Sequence, residues 1–90
     1  MTSASIPRPV PGFALQQMDD DVLLYHPGLT RTVHLNDTAA LIWKLCDGLR
    51  SVDDIASLLG EAYPEAASEM NVDVMTALAR LVRDGVVECE

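Results

Sequence analysis

Between residues 13 and 35 apolar and polar side chains alternate in short runs, whereas from residue 37 onward apolar positions recur every three or four residues. The chain therefore changes from strand-forming to helix-forming periodicity about a third of the way along. Three strands are expected, Phe13–Met18, Asp21–His26 and Thr30–Leu35, bounded by Asp19-Asp20-Asp21 and then by Pro27-Gly28. Two hairpins in series make an antiparallel meander whose first and third strands are edges. In the third strand Arg31, Val33 and Leu35 alternate with Thr30, Thr32 and His34, giving one mostly apolar face and one polar face.

Asn36 is placed to cap a first helix over Asp37–Asp47, apolar on nearly every side and so expected at the centre of the core, with Gly48 as its left-handed exit. Ser51, with Asp54 three residues on, caps a second helix whose Val52, Ile55, Ala56, Leu59, Ala62 and Tyr63 follow one face. Pro64 ends it. Glu65–Met70 fits either a loop or an extra helical turn. A third helix is expected over Val72–Asp84, closed by Gly85, after which Val86–Cys89 either adds a short strand or trails off. The fold class is α+β, a three-stranded antiparallel meander followed by three helices.

Pro7, Pro9 and Pro11 remove backbone donors and fix φ, so residues 1–12 are expected to be a flexible, extended arm ahead of a single domain over 13–90. A chain of 90 residues buries only about 60% of its unfolded surface, and with aromatics at 4% the thin core must be aliphatic. The formal charge of −8 opposes binding to nucleic acid, whose affinity rests on neutralised phosphates, and favours basic partners. The apolar run Ala39–Trp43 is far too short to cross a bilayer, and residues 1–12 lack a secretion pattern, so a cytoplasmic location without membrane attachment is expected.

On the third helix Val74, Leu78 and Leu81 form a core stripe, and Val72, Met75, Ala79 and Val82 form a second beside it; Asp73, Thr76, Arg80 and Arg83 make the polar arc. So wide an apolar sector fits a helix that also covers the meander or a dimer partner. A second fit, which periodicity alone does not establish, is a helix that walls a groove along the third strand, where unpaired N–H and C=O groups would accept an extended guest peptide.

Catalytic and metal chemistry find little support. Cys46 sits on a nearly all-apolar helix, where burial raises a thiol pKa and silences it, and Cys89 is far from it in sequence. His26 and His34 lack partners at ligand spacing, and Asp19–Asp21 lacks the ligand series of a calcium loop. No enzyme activity, cofactor or metal is expected.

The run Leu35-Asn36-Asp37-Thr38-Ala39-Ala40-Leu41-Ile42-Trp43-Lys44-Leu45-Cys46-Asp47-Gly48, continued by Arg50-Ser51-Val52-Asp53-Asp54-Ile55-Ala56, resembles the PqqD family of peptide chaperones. The likeness extends through Val22–Tyr25 upstream and through Asp73-Val74, Leu78, Leu81 and Gly85 downstream. It implies a winged-helix-like domain that binds the leader of a ribosomally synthesised precursor peptide between the third strand and the third helix. The leader is then presented to a modifying enzyme such as a radical-SAM protein or a cyclase or peptidase, in pyrroloquinoline quinone, lasso-peptide, mycofactocin or related pathways.

By the same resemblance the expected peptide contacts are Leu29, Thr30, Arg31, Thr32, Val33, His34 and Leu35 on the strand. On the helix they are Val72, Met75, Leu78, Ala79, Val82 and Arg83, the last suited to an acidic leader residue. Leu35, Ala39, Ile42, Trp43, Cys46, Ile55 and Leu59 are read as core. The oligomeric state expected is a monomer or weak dimer. The competing readings are a winged-helix oligomerisation module and a DNA-binding regulator; against the latter, Arg80 and Arg83 share their helix with Asp73 and Asp84.

Overall fold

The computed structural model describes residues 2, 4–19 and 21–89. In chain order the elements are β1 (Pro7–Pro9), β2 (Ala14–Met18), β3 (Asp21–His26), β4 (Arg31–Leu35), α1 (Asp37–Leu45), α2 (Val52–Ala62), a 3-10 turn (Pro64–Glu69), α3 (Met70–Arg83) and β5 (Val87–Cys89). β2, β3 and β4 form the expected antiparallel meander, and β1 pairs with β5 in a separate two-stranded ribbon. The ambiguous segment after Pro64 is thus a 3-10 turn, and Val87–Cys89 is a strand.

Cross-strand partners fix the faces of the meander. Leu15 opposes Leu24, Leu24 opposes Val33, and Val22 opposes Leu35, so these residues share the face turned to the core, where Leu24 is fully buried. The helices close over that face. Ile42 from α1, Val52 and Ile55 from α2, and Val74 and Leu78 from α3 have no solvent exposure, and all belong to one cluster. Fully burying each such side chain stabilises the fold by about 1.5–3 kcal/mol.

The helix ends follow the chemistry of the sequence. Asn36 Oδ1 accepts the Ala39 N–H at 2.7 Å, and Ser51 and Asp54 form a reciprocal capping box at 3.1 and 3.0 Å. Between α1 and α2 the Asp47 carboxylate accepts the Leu49 and Arg50 N–H groups, and these bonds, with the Arg50 guanidinium at 2.8 Å, hold its carboxyl below the usual range. α3 begins at Met70, two residues earlier than expected, because the 3-10 turn leads directly into it.

The arm is the main departure from expectation. Residues 5–10 are tied into the domain, and Pro7 is among its fully buried side chains. The Gly48 N–H donates to the Pro7 carbonyl at 3.0 Å, the Val52 N–H to the Ser5 carbonyl at 2.9 Å, and the Val10 N–H to the Val86 carbonyl at 3.1 Å. Proline spacing makes this compatible with a strand. Pro7 directs its backbone toward Gly48, away from β5, and by the two-residue alternation of a strand Pro9 does the same. The missing donors therefore fall on the side that the ladder does not use, while Arg8 and Val10 retain theirs. Trp43 adds a further tie, its indole Nε1–H donating to the Val86 carbonyl at 3.1 Å.

Deleting residues 1–10 is expected to cost roughly 2–4 kcal/mol in lost burial and pairing, lowering Tm by about 10–20 °C in a domain of this size. Thermal unfolding followed by circular dichroism checks this; an unchanged Tm would mean that the segment is a free arm after all.

Candidate functional site

β4 lies at the edge of its sheet, paired with β3 and with no second partner strand among the described residues. One line of backbone N–H and C=O groups from Arg31 to Leu35 is therefore available for pairing. Leu29 and Thr30, expected in this strand, belong instead to the turn that enters it: the Leu29 N–H donates to the His26 carbonyl and to His26 Nδ1, and Thr30 has a left-handed φ of 50°. His26 also packs edge-on against Phe13 with ring centroids 5.0 Å apart, so this histidine organises a turn.

A cleft of about 120 Å³ opens beside β4, walled by His34 and Leu35 on the strand, by Asn36, Thr38 and Ala39 at the start of α1, and by Ala77, Arg80 and Leu81 on α3 with Asp84 at its C-terminal cap. The α3 positions in it recur at three- and four-residue spacing and so form one face of the helix. That face is not the one expected. At 100° per residue, Val72, Met75, Ala79 and Val82 lie about 140–160° around the helix from Ala77 and about 80–160° from Arg80.

Val72 and Met75 instead border Asp53 on α2, and Val72 is 68% exposed. Leu78 is fully buried in the core and presents no surface to a guest. Ala79, Val82 and Arg83 are exposed, yet none of them lines the cleft. Ala39, read as core, borders the opening. Sequence periodicity missed Ala77 because a lone alanine on a polar arc carries no apolar signal. Yet a small residue there is what leaves room beside the strand.

Two arginines mark the same end of the cleft. Arg80 lines it, and the Arg31 guanidinium reaches across to the turn after α3, where a Cβ on Gly85 would come within 2.8 Å of Arg31 Nη1. Gly85 has φ +78°, so a side chain there would be both strained and obstructive. Neither arginine forms an ion pair among the described residues, in contrast to Arg8 with Glu88 and Arg50 with Asp47. Unpaired guanidinium groups in a chain of charge −8 are poised to receive a carboxylate.

Cys46, at the C-terminal cap of α1, is 2% exposed, and its Sγ–H donates to the Ile42 carbonyl at 3.1 Å. Burial, reinforced by the nearby Cys89 and Asp47, pushes its thiol up to about 12, and burial also raises Cys89. At neutral pH the protonated Cys46 is a core side chain.

The sequence matches the family described as Coenzyme PQQ synthesis protein D (PqqD) over residues 21–87. It is 40% identical over 77 residues to a PqqA binding protein of Pseudomonas paraeruginosa, covering 82% of this chain and 79% of that one. The chain spans from 16% to 60% of the length of the first curated relatives it matches.

Among solved structures, the PqqD truncation of Methylobacterium extorquens PqqCD, a stand-alone recognition element for ribosomally synthesised and post-translationally modified peptides, superposes with a TM-score of 0.73. It is 32% identical, over 91% of this chain and 87% of that one. Lasso peptide synthetase B1 complexed with the leader peptide superposes with a TM-score of 0.74 at 25% identity, over 92% and 98% of the two chains.

Because the folded-state value of Cys46 lies above the ordinary 9.0, the stability associated with its neutral thiol is complete below about pH 9 and is lost as pH rises toward 12. Urea titrations between pH 8 and 11 should therefore show a steeper alkaline decline for the native protein than for Cys46→Ala. Equal slopes would contradict the burial argument.

Proposed function

The chain belongs to the PqqD family, and from that premise we propose that it is a non-catalytic carrier that binds the leader of a ribosomally synthesised precursor peptide and presents it to a modifying enzyme. The observation that carries this reading is the unpaired edge of β4 beside an open cleft. An extended segment placed there satisfies its backbone on Arg31–Leu35 as an added strand and inserts alternate side chains against α3. The PqqA binding protein among the relatives and the leader-bound structural neighbour support a peptide as the guest. The modifying enzyme, such as a radical-SAM protein, a cyclase or a peptidase, supplies the chemistry, and the carrier acts in the cytoplasm without a cofactor of its own.

Within this reading the peptide contacts are Arg31–Leu35, with Leu29 and Thr30 at the entrance, and Ala77, Arg80 and Asp84 on α3. Val72, Met75, Ala79, Val82 and Arg83 lie outside the groove. The small side chain of Ala77 admits the guest, and Arg31 and Arg80 favour an acidic residue at their end. Most of the affinity comes from backbone pairing, and the few side-chain contacts select among leaders.

Titration of the 15N-labelled protein with synthetic PqqA should shift the amides of Arg31–Leu35 and Ala77–Asp84 and leave Val72 in place. Ala77→Trp, whose indole would fill the cleft, should weaken binding by about tenfold or more, while Val82→Asp should have little effect. Shifts confined to the Val72–Val82 flank would move the site to the other face. A dimer unaffected by peptide, with β4 paired to a second copy, would support the oligomerisation reading.

A further inference from the structure

Next to the cleft a second and larger recess, of about 290 Å³, opens between the first turn of α1, the end of α2 and the start of α3. Its accessible lining is apolar, with Leu41, Tyr63 and Ala66 over the buried Leu59 and Val74, and its rim carries the carboxylates of Asp37, Glu65 and Asp73. The two openings adjoin: Thr38 lines both, and Asp73, Ala77 and Arg80 follow one another along a single face of α3. Leu35, at the end of β4, lines the cleft and is followed within three residues by Asp37 and Thr38, which line the recess.

We propose that the recess is a second subsite of the same groove, holding one bulky apolar side chain of the bound peptide with a Lys or Arg next to it in sequence. The proposal rests on the strand-addition reading above and names the leader chemistry that it selects. The volume lies at the low end for a small-molecule site and suits a single side chain entering an open-sided pocket. Three carboxylates ring the opening, and no Lys or Arg lines it. The partial positive charge at the start of α1, about half an elementary charge, leaves the rim negative. The arginines of the groove stand at the opposite end, with Arg80 about 10 Å from Asp73 along the helix. The preference for a basic residue therefore belongs to the recess alone.

A yeast-displayed library of random 15-residue peptides, selected on the full chain, tests this, with enriched sequences remade as synthetic peptides for fluorescence anisotropy. The expected outcome is a shared bulky apolar residue next to Lys or Arg. Its replacement by Ala should weaken binding about tenfold or more, and the methyl signals of Leu41 and Ala66 should shift on binding. The combined change Glu65→Gln and Asp73→Asn should abolish the preference for Lys or Arg over Gln while leaving the circular dichroism spectrum unchanged. Peptides that shift the β4 amides with neither the sequence preference nor the methyl shifts would overturn the subsite and leave strand addition standing. Enrichment of no peptide that shifts those amides would overturn both.

Discussion

The ribbon of Pro7–Pro9 with Val87–Cys89 is separate from the meander, and the outer edge of β4 has no partner strand among the described residues. The C-terminal strand emerges from α3 as the last extended segment of the chain, and it pairs with Pro7–Pro9. The N-terminal segment occupies one edge of Val87–Cys89. Its own attachment relies on the carbonyls of Ser5 and Pro7, which receive N–H groups from the α1–α2 connection. Residues 5–10 and 86–89 thus hold each other, and the half-buried Trp43 fastens the junction from the side of α1.

That arrangement allows a thin domain to keep a long opening on its surface. The core is one layer of aliphatic side chains between the meander and the helices, with α1 running through it and Ile42 completely enclosed. α3 has two tasks on adjoining faces. Val74, Leu78 and Leu81 anchor it in the core, and Asp73, Ala77, Arg80 and Asp84 border the two openings. Rigid anchoring on one face fixes the distance of the other from β4, so the width of the groove is set by core packing.

Charge divides the opening into two ends. The strongly acidic chain surrounds a groove whose cleft end bears Arg31 and Arg80 against the single carboxylate of Asp84, while the recess end bears Asp37, Glu65 and Asp73. Backbone pairing alone permits a guest to slide by two residues and retain its hydrogen bonds. Opposite charges at the two ends, together with an apolar recess, make such shifts unequal in energy and assign the guest one register.

Much of this was legible from residue order. The two-residue alternation of Arg31, Val33 and Leu35, the Asn36 and Ser51 caps and the glycine exits at Gly48 and Gly85 depend on neighbours within a few positions, and they located the meander and the three helices to within a few residues. Recognition of Val22–Tyr25 and Leu35–Ala56 as a family pattern reached further, to the kind of guest expected. Tertiary structure alone decided how α3 is rotated against β4, why Ala77 rather than Ala79 meets the cleft, and that Pro7–Pro9 pairs with Val87–Cys89. Periodicity reports the angular distance between side chains on one helix, but which angle faces which neighbour is settled by long-range packing, and a strand partner some 80 residues away leaves no local trace in either segment.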